Sequence, residues 1–118
     1  MGFTATGVNK ILDTLLASGN LLRLGEYSGG TLSKACPDYE IGSTDFNAAA
    51  NGSKSNKKTI RFPERTSSGS ATVSHVGVLN GSTLWYYAAL SSSTDLNNAE
   101  LCKFKVGDFS ITVDDSGT

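Results

Sequence analysis

Residues 73–90 read VSHVGVLNGSTLWYYAAL, the most apolar stretch of the chain, with an Asn-Gly pair near its middle. Asn80-Gly81 favours a two-residue type I′ turn, whose central positions both need positive φ. The stretch is expected to fold into a hairpin with Leu79 opposite Ser82. Counting outward puts Val73, His75, Gly77 and Leu79 on one face with Ser82, Leu84, Tyr86 and Ala88. The opposite face receives Thr72, Ser74, Val76 and Val78 with Thr83, Trp85, Tyr87 and Ala89. Gly77 then faces Leu84 and Val76 faces Trp85, as small-to-large cross-strand pairs. Both faces are apolar at their centres, whereas a half-exposed antiparallel hairpin keeps one face polar. A two-layer sandwich buries one face; the other needs a cover from a helix, a second copy or another protein, or a ligand such as a sugar stacked on Trp85 or Tyr87.

A helix is available. Val8, Ile11, Leu12, Leu15 and Leu16 recur at one-face helical spacing, which predicts an amphipathic helix over about 4–18. Thr4 or Thr6 can cap its start and Gly19 marks its end. At about 22 Å such a helix is long enough to lie along one hairpin face.

The remainder alternates short β-branched and aromatic runs with Gly, Ser, Thr and Asn, the texture of an antiparallel all-β domain. Strands are expected at 21–27, 39–41, 46–50, 57–62, 71–79, 83–90, 101–106 and 109–113, with loops at 51–56, 65–70 and 91–98. Pro63 stops its strand, having no backbone donor. The expected fold is mainly β: an antiparallel, jelly-roll-like β-sandwich with one N-terminal helix, in a single domain over 1–118. Candidate core residues are Ile11, Leu15, Val73, Leu84, Tyr86, Phe104, Phe109 and Ile111.

Half of the ten Lys and Arg residues stand in one window, Lys54, Lys57, Lys58, Arg61 and Arg65, while Asp108, Asp114 and Asp115 close the chain. A solvated edge strand guarded by cations accounts for the window. So does a contact between copies, basic edge to acidic tail. Val76, Val78, Trp85, Tyr87, Lys57, Lys58 and Arg61 are therefore the candidate subunit or partner interface.

Catalytic chemistry is not legible. His75 is the single histidine and falls mid-strand, where the pattern sets neither a nucleophile nor a carboxylate beside it. Cys36 and Cys102 are too few and too far apart for a zinc site or a disulfide framework, and read as ordinary thiols. No phosphate-binding, dinucleotide or nucleophile-elbow motif appears. A formal charge of −1 and a pI near 5.7 argue against a nucleic-acid partner. No secretory signal or apolar run of membrane-spanning length is present. No catalytic residue, metal ligand or cofactor is expected.

Taken in order, VNKILDTLLASG, FNAAANGSKSN, TIRFPE, ATVSHVGVLNGSTLWYYAAL and FKVGDFSITVDD resemble segments of small virion structural proteins of tailed bacteriophages, of the head-decoration and tail-fibre type. The resemblance is strongest from Phe46 to Asp115, and departs at SGGTLSKACPDYEIG, where a longer Gly-rich strand pair is expected. It implies a non-enzymatic β-sandwich assembled in the host cytoplasm onto a virion surface. Symmetric copies, trimers foremost, and contacts with a major capsid protein or a tail protein are part of that implication. The leading expectation is a capsid-decoration (cement) protein. A tail-fibre or collar adaptor module is the alternative, and a carbohydrate-binding module a second one.

Overall fold

The computed structural model describes residues 4–50 and 52–112. The helix α1 spans Ala5–Leu15, and the Thr4 hydroxyl caps it by accepting from the Gly7 amide at 3.0 Å. It stops a turn before the expected end, and Asn20 explains how. The buried Asn20 amide donates to the carbonyls of Thr14 and Leu15, satisfying two orphan acceptors of the last turn. Its own oxygen accepts from Asn80 Nδ2 at 2.9 Å, tying the helix end to the tip of the long hairpin.

Among the described residues ten strands follow: β1 Leu21–Gly25, β2 Tyr27–Ser28, β3 Thr31–Leu32, β4 Tyr39–Glu40, β5 Ser53–Ser55, β6 Ile60–Arg61, β7 Ser70–Asn80, β8 Thr83–Asn97, β9 Lys103–Phe104 and β10 Ser110–Thr112. All pairings are antiparallel. A four-stranded sheet has the order β4-β1-β7-β8, and β2-β3, β5-β10 and β6-β9 form two-stranded ribbons. The mainly β, antiparallel fold with an N-terminal helix is thus the one the sequence predicts.

Boundaries differ where tertiary context overrides local pattern. The expected strand 21–27 breaks after Gly25, because the chain turns there into the β2-β3 hairpin. Residues 46–50 form only isolated bridges, Phe46 to Asn56 and Ala50 to Ser53, whereas the expected loop 51–56 contains β5. The Ser/Thr-rich segment 91–97, expected as a loop, continues β8 opposite Ser70–Val73. Val113 lies outside the described residues.

The hairpin register also differs. Asn80 pairs with Thr83, so the connection is Gly81-Ser82, with Gly81 at φ 61°. One pair further on, Leu79 faces Leu84 but Val78 faces Tyr86, which makes Trp85 a bulged residue. An extra residue on one strand exchanges the faces beyond it. From there Val78 and Val76 share a face with Tyr86 and Ala88, and Gly77 and His75 share the other with Tyr87 and Ala89.

The inner face packs on α1. Leu22 and Leu24 of β1 pair with Val78 and Val76, and all four join Val8, Leu12 and Leu15 of the helix in one buried cluster. Ile60, Phe62, Phe109 and Ile111 extend this cluster from the ribbons, with ring contacts Phe46–Phe109, Phe104–Phe109 and Phe62–Phe104 at 5.3–6.2 Å. The outer face is covered by the β2-β3 hairpin of the same chain, a cover not anticipated from sequence. Leu32, 3% exposed, lies on Gly77, where a Cβ would strike its Cδ2. Arg23, opposite Gly77, makes two 2.9 Å bonds to the Asp38 carboxylate and donates to the Leu32 carbonyl.

Buried polar nodes hold the short ribbons. Asn56, fully buried, donates to the carbonyls of Lys58, Phe104 and Lys105 at 2.8–3.3 Å and accepts from the Phe109 amide at 3.0 Å. Asp45 accepts from the Tyr39 hydroxyl at 2.6 Å and the Gly42 amide at 2.7 Å. Burial, reinforced by that bond, pushes the Tyr39 phenol up to about 12. Ribbons of two or three residues are unstable alone, and these side chains supply the bonds that longer ladders would.

Two predictions follow from these contacts. A Cβ at Gly25 would fall on the backbone carbonyl of Ser33, which cannot swing aside, whereas at Gly77 it meets side-chain termini of Leu32 and Leu84 and the Tyr86 carbonyl. Urea unfolding should therefore show Gly25→Ala costing about 3 kcal/mol or more and Gly77→Ala about 1–3 kcal/mol. Asn56→Asp keeps the shape but turns an oxygen toward three carbonyls, and should cost about 3 kcal/mol at neutral pH.

Candidate functional site

The surface offers two regions unlike the rest: an aromatic face on β8 and a cationic ribbon made by β6 and β9. The Trp85 bulge positions the first. It turns Trp85 toward the helix shoulder, where it lines an open apolar cleft of about 260 Å³ with Lys10, Ile11, Thr14 and Leu15. Trp85 is 48% exposed and Ile11 38%. Ile11, expected in the core, instead stands at the margin of the helix stripe, because Val8, Leu12 and Leu15 face the sheet.

Tyr87, 45% exposed, projects from the outer face. Tyr27 of β2 stacks on it with centroids 3.6 Å apart and planes 9° from parallel. His75, its diagonal neighbour, lies 6.2–6.3 Å from both rings. Val76 and Val78, expected beside Trp85 and Tyr87 as interface, are buried at 7% and 1%. The helix is the reason: it covers the face that they share with Leu22 and Leu24, while the bulge in β8 sets Tyr87 on the opposite face. Of the other expected core positions, Leu15, Val73, Phe109 and Ile111 are buried, and Leu84, Tyr86 and Phe104 are partly buried.

The cationic window of the sequence is divided by the fold. Lys54 pairs with Asp13 of α1 at 2.8 Å, and that contact holds the Asp13 carboxyl below its usual range. Arg65 donates to the carbonyls of Ala35, Ser68 and Gly69. Lys57, Lys58 and Arg61 remain exposed. Arg61 stands directly opposite Lys103 in the β6-β9 ladder, and Lys105 follows two residues on. Like charges facing across a ladder are unfavourable, so this ribbon is suited to a negatively charged neighbour. Lys103 and Lys105 were not singled out in the sequence, although Lys-Phe-Lys alternation signals a strand with Phe inward and cations outward.

The acid-base inventory is sparse. Ser74 Oγ lies 2.8 Å from His75 Nδ1, a pairing of chain neighbours that the pattern had not suggested. Among the described residues no carboxylate bonds the imidazole, as a triad would require. Cys36 and Cys102 are free thiols. Burial pushes Cys36 up to about 11 and raises Cys102 as well, so both are protonated at neutral pH. Among the described residues no group of three or more His, Cys, Asp and Glu side chains is placed to hold a metal ion, and no helix is long and apolar enough to cross a membrane.

If the bulge sets these faces, Trp85→Ala should change stability by less than about 1 kcal/mol. Val78→Ala, by contrast, should cost about 2 kcal/mol. Thermal and urea unfolding of the two variants checks the assignment; a larger loss at Trp85 would contradict it.

A comparison with curated proteins finds no match. Residues 24–112, most of the chain and the whole of the sheet and ribbons except the first strand's beginning, match the family described as Podophage GP4 fiber I protein gp80. The match spans both the long hairpin and the departing segment around Cys36 and Pro37. With its antiparallel β architecture and contact-type surfaces, the chain belongs to this gp80 family of phage fibre proteins and is a small structural protein of a tailed-phage virion.

Proposed function

We propose that the chain is a fibre module of the virion, joined through its exposed surfaces to other virion proteins, rather than the capsid-decoration protein that its size and hairpin first suggest. The family match over 24–112 carries this reading. The surfaces are compatible with it: the exposed cations Lys57, Lys58, Arg61, Lys103 and Lys105 suit an acidic neighbour, and the Trp85 cleft suits an apolar one. The role is mechanical, without catalysis, and assembly takes place in the host cytoplasm, where Cys36 and Cys102 stay reduced.

A carbohydrate-binding role is less well supported. Tyr27 occupies one face of Tyr87, and among the described residues the Trp85 cleft presents Lys10 and Thr14 as its polar neighbours, whereas sugar sites surround the aromatic platform with several hydrogen-bonding groups.

Immunogold labelling of intact virions with an antibody against this chain tests the proposal. Gold confined to the fibre region, with capsid heat resistance unchanged in virions lacking the chain, is the expected result. Gold spread over the shell, with capsids that melt earlier without the chain, would restore the decoration reading.

A further inference from the structure

The β6-β9 ribbon gathers cations without gathering the acids that could neutralise them. Arg61 and Lys103 stand directly opposite each other. The Phe62 amide donates to the Cys102 carbonyl at 3.0 Å, which makes Arg61 and Lys103 a non-hydrogen-bonded pair, the kind whose side chains stand closest. One buried amide holds the rest: Asn56 Nδ2 donates to the carbonyls of Lys58 and Lys105 at 2.8 and 2.9 Å. Among the described residues the ion pairs are Arg23–Asp38, Lys34–Asp38 and Lys54–Asp13, and none includes Lys57, Lys58, Arg61, Lys103 or Lys105. Glu100, near Lys103 along the chain, accepts instead from the Asn97 amide at 2.7 Å. Net charge is −1, so an excess of cations does not force this clustering. Beside it stands Val106, 61% exposed, the most exposed large apolar side chain among the described residues.

We propose that this ribbon docks an extended acidic segment of a neighbouring virion protein, and that docking relieves a repulsion which the free chain carries. The inference rests on the reading of the chain as a module joined to other virion proteins, and specifies the chemistry of one such partner. Lys103 and Lys105 follow the two-residue repeat of an extended chain, about 6.8 Å, the spacing at which alternate carboxylates of an extended partner project. Val106 selects a polypeptide: protein interfaces set apolar side chains among their polar ones, whereas an anionic glycan or a phosphate backbone brings charge without a side chain to cover it. The preference for Lys agrees, since phosphate readers favour the bidentate fork of Arg. Unpaired cations draw an acidic partner in from a distance and fix its register. A ribbon shaped for folding alone gains from an acid opposite Arg61; this one keeps a cation there. Stability and attachment therefore pull in opposite directions at position 103.

The test adds purified full chain back to virions that lack it and measures the copies bound, alongside thermal unfolding of the free chain. Rebinding should fall at least about tenfold between about 0.05 M and about 0.5 M salt. Lys103→Glu should raise the melting temperature of the free chain by about 2 °C or more, and yet cut rebinding at least about tenfold. Arg61→Glu reverses the same pair and serves if that variant fails to fold. Val106→Ser should cut rebinding about threefold with the melting temperature unchanged. Rebinding indifferent to charge reversal or to salt, a reversal that lowers the melting temperature together with binding, or full rebinding of Val106→Ser would each overturn the proposal. The module reading survives those results as long as the wild-type chain rejoins the particle; a wild-type chain that does not rejoin overturns both.

Discussion

Leu32 resting on Gly77 is the contact on which the rest of the architecture depends. β7 is buried along its centre, and a central strand needs both faces dry. Its inner face is covered by α1 through Val76 and Val78. Among the described residues the outer face is reached by the short β2-β3 hairpin, which comes close enough because position 77 has no side chain. That approach also brings Tyr27 over Tyr87 and lets the Arg23 guanidinium, held by Asp38, anchor the Leu32 carbonyl. The question raised by an apolar hairpin with two dry faces is therefore answered within one chain. Among the described residues of the hairpin, the large apolar side chains left half-exposed are Trp85 at the bulge and Tyr87 on the outer face.

Away from the sheet, regular structure gives way to side-chain nodes. Asn56, Asn20 and Arg65 each bond several backbone carbonyls, and Asp45 bonds the Gly42 amide and the Tyr39 hydroxyl. A chain with two-residue ribbons needs such nodes, since every buried amide and carbonyl left without a partner costs about 1–3 kcal/mol. The same economy leaves the exterior rich in small polar residues and concentrates its contact chemistry in the β8 face and the β6-β9 cations, a division suited to a protein that is assembled into a larger structure.

Much of this was legible in the sequence. The helix follows from the period of Val8, Leu12 and Leu15, and the long hairpin from its apolar alternation. The resemblance to tailed-phage structural proteins rested on ordered strand motifs, and the family match over 24–112 agrees with it. The facing of the hairpin was not legible, because a bulge leaves no compositional mark: one extra residue at Trp85 sets Tyr86 and Ala88, in place of Trp85 and Tyr87, on the face of Val76 and Val78, and α1 buries that face. The ribbons were blurred because two-residue strands are defined by partners remote in sequence, such as Ile60 with Phe104. The cationic surface was half seen: Lys57, Lys58 and Arg61 were visible as a cluster, whereas Lys103 and Lys105 join them only through the ladder.

The cross-strand register of the long hairpin in solution tests the account most directly, and nuclear Overhauser contacts between backbone protons read it. The structure predicts contacts of Val78 with Tyr86 and of Gly77 with Tyr87, with Trp85 lacking a partner on β7. Contacts of Gly77 with Leu84 and of Val76 with Trp85 would mean an unbulged hairpin, and would contradict the assignment of buried and exposed faces on which the functional reading stands.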